Sequence, residues 1–328
     1  MTTPSAASPS AGAAGIRGWL RCWVAAWNAF WFTPADPLPL AGIRIATGLI
    51  LAWTNLVWLL DADAFFGPVG WLAVDDVWRM NDQPWQWSWY FAFPTLVHGM
   101  AVVSLVAAIM LTLGLASGLA ALVSFLGLVS AANRAPLNVF GLDDTLGMLL
   151  VPLIVGPCGD RWSLDACLRG PGQGRGATVR AGIALRLVQL HLCVVYFFSG
   201  CGKMLGASWW EGTAIWGALA NGQYRTLDLT GLAAHPLVVN ALTLGTLFWE
   251  VGYAALVWPR LTRPLVLAMA VAVHLGIGLA MGMMEFGLAM ITANLAFLPA
   301  TGWECIAAPF QSRRPVPPRS PGSSSGSP

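Results

Sequence analysis

Long apolar runs set the limits on this chain. A hydrocarbon core about 30 Å thick needs about 20 residues of apolar helix to cross it. Runs near that length recur at 38–60, 95–115, 118–135, 143–157, 181–200, 236–258, 264–281 and 283–300. Backbone polar groups in lipid must be satisfied within the protein, which leaves helices or closed barrels. Runs of this length favour helices. The fourth and eighth are short or polar at one end, so about eight spans are expected. Composition agrees: 57% of residues are hydrophobic and 10% charged, against about 25% charged in soluble domains. Mean hydropathy is +0.66. The expected fold class is an all-α, polytopic transmembrane helical bundle with an N-terminal interfacial amphipathic helix.

Residues 1–15 are small and polar, lack the basic start and apolar core of a cleavable leader, and read as a disordered N-terminus. In 16–33, Trp19, Trp23, Trp27, Phe30 and Trp31 fall at helical spacing, with Arg17 and Arg21 among them. That pattern suits an amphipathic helix lying in the membrane surface. Pro34, Pro37 and Pro39 then separate it from the transmembrane domain, 34–300. The rest, 301–328, is rich in Ser, Pro and Gly and reads as a disordered cytoplasmic tail.

Basic residues orient the bundle. With a cytoplasmic N-terminus, Asp61, Asp63, Asp75, Asp76 and Asp82 fall outside, with Arg79 beside them. Arg161, Arg169, Arg175, Arg180, Arg260, Arg263, Arg313, Arg314 and Arg319 all fall inside. An even number of crossings of the cell membrane, with both termini cytoplasmic, satisfies this pattern. Two connections exceed tight turns. The Trp-rich stretch 61–94 is expected to hold interfacial helices on the outer face, and 201–235 to fold back toward the bilayer.

Polar residues within the runs are few and ordered. In the fifth run Arg186, Gln189, Cys193, Tyr196, Gly200 and Lys203 follow spacings of three and four, which makes one helical stripe. Ala184, Leu187, His191 and Val194 are assigned to the opposite face. Lys203 is the only lysine among 17 basic residues. Desolvation favours the neutral amine, which can act as a base; alternatively Lys203 snorkels to headgroups. In the sixth run Thr243, Thr246, Glu250 and Tyr253 form a second stripe. Glu250 is either part of a site or a structural partner of Arg44 or Arg186. Arg44 could equally reach the cytoplasmic headgroups. His274 lies inside the seventh run, as a site residue or a satisfied interior group, and Glu285 stands at the turn into the eighth.

Several chemistries find no support. His98, His191, His235 and His274 show no ligand spacing, so no metal is expected. The glycine-rich stretch 170–176 lacks the ending of a phosphate cradle. A net charge of +2 gives no case for nucleic acid. The six cysteines form no CxxC pair; Cys158 and Cys167 could bridge, but a reducing cytoplasm favours free thiols.

Three stretches carry a resemblance. One is Asn133-Arg-Ala-Pro-Leu-Asn138 with Gly141-Leu-Asp-Asp144 and Asp160-Arg-Trp-Ser-Leu-Asp165. The second is Tyr196-Phe-Phe-Ser-Gly-Cys-Gly-Lys203 followed by Trp209-Trp-Glu-Gly-Thr213. The third runs from His274-Leu-Gly-Ile-Gly278 through Phe286 to Asn294-Leu-Ala-Phe-Leu-Pro299. Together they resemble the HTTM domain (horizontally transferred transmembrane domain), the membrane part of vitamin K-dependent gamma-carboxylases. In those enzymes the lysine of the second stretch is the base that deprotonates vitamin K hydroquinone. Oxygen then yields a strong base that removes a glutamate gamma-proton, carbon dioxide adds, and an epoxide is the coproduct.

The resemblance implies Lys203 as catalytic base; the polar residues within the runs, Tyr196, Arg186, Glu250 and His274, are then expected to line its cavity and bind substrate, as are Asp143 and Asp144 in the matched stretch. It implies a reduced quinone as cofactor, membrane lipids as partners, and leaves any protein substrate unidentified. Two departures stand out. Asp143-Asp144 occupies the place of an Asn-His pair in the animal enzyme, and the chain ends soon after its last span, without the large extracytoplasmic substrate domain. Two non-carboxylase expectations stand beside this one: a non-enzymatic maturation or immunity protein, whose polar stripes would pair with each other, and a small-anion transporter using Arg44, Arg186 and Lys203.

Overall fold

The computed structural model describes residues 11–80, 86–170, 176–299 and 302–303. Met1–Phe297 forms one compact unit. In the second unit, Leu298–Pro328, the backbone N–H groups of Gly302 and Trp303 donate to the Pro299 carbonyl.

The described residues are helical, without a strand longer than a single bridge. In chain order the helices are α1 (Ala11–Phe32), α2 (Leu38–Leu60), α3 (Ala62–Phe66), α4 (Val74–Met80), α5 (Trp89–Ala92), α6 (Val97–Leu113), α7 (Ser117–Arg134) and α8 (Gly141–Val155). They continue as α9 (Leu164–Arg169), α10 (Val179–Lys203), α11 (Ala207–Trp210), α12 (Ala214–Ala220), α13 (Pro236–Leu256), α14 (Arg263–Met281) and α15 (Met284–Asn294). Each of the eight apolar runs becomes a helix. Five of them, α2, α7, α10, α13 and α14, are long and apolar enough to cross a membrane, while α6 and α15 are shorter apolar helices.

Local chemistry sets the helix ends. α2, α13 and α14 each carry proline in the first turn, where its missing N–H would have had no helical partner. α6 stops at Gly114, which takes a left-handed φ of 71° and returns its N–H to the Leu111 carbonyl. α8 is the short central helix. Leu146, Leu149, Leu150 and Leu153 are all fully buried, and its neighbours are α2, α7, α10 and α15. The outward faces are apolar as well. Val102, Val106 and Ile109 on α6, Phe197 and Phe198 on α10, Phe248 on α13 and Leu265 and Leu279 on α14 are exposed. Apolar residues on both the inside and the outside are the pattern of helices solvated by lipid.

Several expectations change. α1 begins at Ala11, five residues before the anticipated start, and its tryptophans Trp19, Trp23 and Trp27 are about half exposed. Trp23 and Trp27 stack at 5.5 Å. Ala184 is fully buried rather than on the outer face of α10, since the inward surface also takes in Ala181, Val188 and Leu192. His191 and Val194 are exposed, as expected. The 61–94 connection holds α3, α4 and α5, with Asp82 and Trp85 outside the described residues. The 201–235 connection holds α11, α12 and a 3-10 turn, Thr230–Ala234. It lies against the start of α13, where Ile215 N donates to Thr243 Oγ1 and Asn240 Nδ2 to the Glu211 carbonyl. Cys158 and Cys167 are free thiols. The tail from 304 onward and most of the glycine-rich stretch lie outside the described residues.

Candidate active site where four helices meet

The two polar stripes read from the sequence face each other. Thr243, Thr246, Glu250 and Tyr253 on α13 are buried, and so are Cys193, Tyr196 and Gly200 on α10. The two helices touch at Gly200. A Cβ built there would stand 2.9 Å from the backbone nitrogen of Val251. This contact brings Lys203, the last residue of α10, to Glu250, the fifteenth of α13. Lys203 Nζ lies 2.7 Å from Glu250 Oε2 and 2.7 Å from Ser199 Oγ, and 5.4 Å from the centre of the Trp209 ring. The Glu250 side chain is only 9% exposed and that of Lys203 24%. The acid is therefore enclosed and the amine is reachable from one side. This pairing corrects the expectation of an arginine partner for Glu250.

About two helical turns from Lys203 along α10, at Tyr196, α14 and α15 complete the site. Tyr196 Oη lies 2.7 Å from His274 Nε2. Asn294 Nδ2 donates to Tyr196 Oη at 3.1 Å and to the Met290 carbonyl at 2.9 Å. Tyr253 Oη donates to Asn294 Oδ1 at 2.7 Å. Aromatic rings wrap this chain. Tyr196 meets Tyr253 at 4.1 Å and Trp249 at 4.9 Å, and His274 meets Phe286 edge-on at 5.8 Å. Gly287 lets α15 reach this depth, because a Cβ there would sit 2.4 Å from the His274 carbonyl oxygen. His274 is 4% exposed, and its Nδ1 has no partner among the described residues.

The other predicted site residues lie elsewhere in the bonding pattern. Asp143 accepts from the Phe140 N–H at 3.0 Å and so closes the first turn of α8, while Asp144 is exposed. Neither bonds to the four-helix cluster. The Arg186 guanidinium donates to the Phe30 carbonyl and to Gln189 Oε1, and lies 4.5 Å over the Phe30 ring. It fastens α1 to α10. Arg44 is fully buried and donates to the carbonyls of Leu111, Thr112, Cys158 and Trp162. It clamps the α6 end to the segment after α8. The three cations named for an anion path thus have separate partners.

Asn294 and Tyr253 were not marked as site residues from the sequence. Tyr253 stood in the α13 stripe and Asn294 in a familiar stretch. The available signal for Asn294 is a lone amide inside an apolar run, which must find partners inside the protein.

The fold and this inward-facing polar cluster define a multi-pass helical protein of the membrane, in contact with lipid. The HTTM domain family matches residues 32–303, so the chain belongs to that family. No curated protein and no solved structure matches the chain.

Proposed function

We propose that the protein is an enzyme of the membrane that takes a proton from a lipid-soluble reduced quinone, with Lys203 as the base. The observation that carries this reading is the lone lysine bonded to an enclosed carboxylate, with the Tyr196–His274 pair about two turns along the same helix. An ammonium–carboxylate pair in apolar surroundings can become amine and carboxylic acid by moving one proton along its 2.7 Å hydrogen bond. No net charge is created. Glu250 then stores the proton and Lys203 presents a free amine on its exposed side.

The apolar, aromatic surroundings support this reading: Tyr196, Trp249, Tyr253 and Phe286 pack around His274, whose Nδ1 is a buried polar atom without a partner among the described residues. A bound hydroquinone would supply an acidic O–H, and by the family resemblance its oxidation by molecular oxygen would end in an epoxide. Within this chain Lys203 accepts the proton, Glu250 sets its charge, Ser199 and Trp209 hold the amine in place, and the surrounding rings exclude water. We place α2, α6, α7, α8, α10, α13, α14 and α15 as eight crossings, with α1 on the cytoplasmic surface and both termini in the cytoplasm. In that arrangement Lys203 lies beneath α11 and α12 on the outer side.

The test is turnover in membranes supplied with vitamin K hydroquinone, following epoxide. Wild type is expected to form epoxide, and Lys203→Ala to reduce the rate at least 100-fold, within the range general-base catalysis contributes. Full activity in Lys203→Ala would remove the lysine from the mechanism, and an inactive wild type would overturn the reading. The maturation or immunity alternative draws on a specific observation, since the polar stripes do pair with each other. It expects a wild type without turnover and a chain that co-purifies with a secreted partner. The anion-transport alternative has little to stand on, given the separate partners of Arg44, Arg186 and Lys203.

A further inference from the structure

The hydrogen-bond chain beside Lys203 has a direction, and the direction can be read from one fixed acceptor. A backbone carbonyl can only accept, so the Asn294 atom 2.9 Å from the Met290 oxygen is the amide nitrogen. That settles the amide orientation, and its oxygen takes the proton of Tyr253. The second amide hydrogen points to Tyr196 Oη. The Tyr196 oxygen is therefore already an acceptor, and its own proton needs somewhere to go. His274 Nε2, at 2.7 Å, is the acceptor in reach. A neutral imidazole accepting at Nε2 carries its hydrogen on Nδ1.

The chain thus runs Tyr253 to Asn294 to Tyr196 to His274, and it ends in an N–H donor. That donor sits on a side chain that is 4% exposed and has no acceptor among the described residues. An unmet buried donor carries its full desolvation cost, yet four side chains on four helices are arranged to produce this one. Its neighbours are aromatic rings, which offer no strong acceptor. The complement to such a group is an oxygen atom brought in from outside the chain, either on a ligand or on a buried water.

We infer that His274, locked with its hydrogen on Nδ1 by Tyr196, Asn294 and Tyr253, donates to a ring oxygen of the quinone-type substrate. This rests on the proposed function and deepens it. When Lys203 removes the proton of one hydroxyl, the O–H bond breaks, the N–H bond forms and the oxygen keeps the electron pair. Negative charge then appears on that oxygen. A fixed N–H aimed at it stabilises the charge without having to reorganise, as donors preset for developing charge do. Tyr196, Asn294 and Tyr253 are positioning residues that act through His274.

Two variants divide the roles of the imidazole. The amide nitrogen of Asn falls near the place of Nδ1, and that of Gln near Nε2. His274→Asn therefore keeps the donor toward the substrate, and His274→Gln keeps only the contact with Tyr196. In lipid nanodiscs, with menaquinone-4 labelled with carbon-13 at its carbonyls as the probe, infrared difference spectra report the hydrogen bond directly. Wild type and His274→Asn are expected to lower one carbonyl stretching frequency, and His274→Gln to leave it unshifted. Binding, read by tryptophan quenching, is expected to weaken about tenfold in His274→Gln, the size of one hydrogen bond to a buried group.

Nitrogen-15 histidine spectra of the ligand-free protein give an independent check. The signal that His274→Asn removes is expected to show Nδ1 protonated and Nε2 bare. The opposite tautomer would overturn the inference whatever the protein binds. Quinone that binds without any His274-dependent shift would assign the acceptor to a buried water. That would overturn the inference while leaving the proposed function standing. A wild type that binds neither menaquinone-4 nor its hydroquinone would overturn both.

Discussion

Gly200 and Val251 stand so close that a single methyl group between them would fall 2.8 Å from the Val251 side chain and 2.9 Å from its backbone nitrogen. Small residues at such crossings let membrane helices approach until their backbones touch. Here the closeness has a chemical result, because Lys203 and Glu250 reach each other one turn away.

Gly200→Ala is expected to push α10 from α13 and lower stability by about 1–3 kcal/mol, the usual penalty for overpacking. Gly202→Ala is the control. It has open space at its Cβ and sits in the same helix, so it should leave stability unchanged or raise it by about 0.5–1 kcal/mol. Thermal melting of the two variants in detergent checks the contrast. Equal effects would mean that the close approach does not matter.

Removing one partner of the Lys203–Glu250 pair should be worse than removing both. A buried charge left alone is costly, whereas a well-packed apolar pair can replace an ion pair at little loss. Glu250→Leu is expected to destabilise the fold, and Lys203→Met combined with Glu250→Leu to recover most of the loss. Because the amine is partly exposed, the coupling should be modest, about 1–2 kcal/mol. A double-mutant cycle on melting midpoints measures it.

Asp165 anchors the opposite end of the molecule. Its carboxylate accepts from the backbone N–H groups of Ala116 and Ser117 and from the Ser117 hydroxyl, at 2.7–2.9 Å, and so caps the start of α7. Burial alone would raise its pKa, but these hydrogen bonds and nearby Arg169 outweigh it and hold the group below its ordinary value of 3.8. The stabilisation is therefore present above about pH 4 and is lost as the pH falls through the lower folded-state value. Asp165→Ala should melt earlier at neutral pH, by about 1 kcal/mol. The gap from wild type should narrow on acidification below about pH 4. A gap that stays constant in acid would count against the cap.

Cysteine exposure offers a test of sidedness. Cys158 is buried beside the Arg44 clamp, and burial pushes its thiol up to about 11. Cys167, nine residues on in sequence, is exposed. In a chain whose other cysteines are changed to Ser, a membrane-impermeant maleimide is expected to label Cys167 only from the cytoplasmic face and to leave Cys158 unlabelled until denaturation. Labelling of Cys167 in intact cells would reverse the proposed orientation.

The helices were legible in the sequence because their signal is one-dimensional. A run of apolar residues needs only its own length to declare a helix, and the stripe from Cys193 to Lys203 needs only its spacing. The pairing of Lys203 with Glu250 was out of reach because periodicity says which face is polar, not which helix it meets. Asp143 has a role of a different kind, as the acceptor for the Phe140 N–H at the start of α8. An Asp in the first turn of a helix is a common N-terminal hydrogen-bond acceptor, and this local role accounts for the residue without any site. Arg44 hides among leucines and isoleucines on α2, and only the fold reveals four carbonyls converging on it. His274 is visible as a polar group in an apolar run, but its tautomer depends on Asn294 and on the Met290 carbonyl that orients the Asn294 amide.

The left-handed turn at Gly282 makes α14 and α15 a hairpin that carries both His274 and Asn294. Tyr196 and Tyr253 belong to the α10 and α13 pair, as do Lys203 and Glu250. Every side-chain bond linking His274 and Asn294 to the tyrosines therefore crosses the seam between hairpin and pair, while the ion pair lies wholly on one bank. A hairpin that slid by one turn, about 5.4 Å, would unhook the tyrosines together and leave the lysine and its acid joined. The tyrosine–imidazole chain and the ion pair are thus mechanically separate, so a movement of the hairpin can open the one and spare the other.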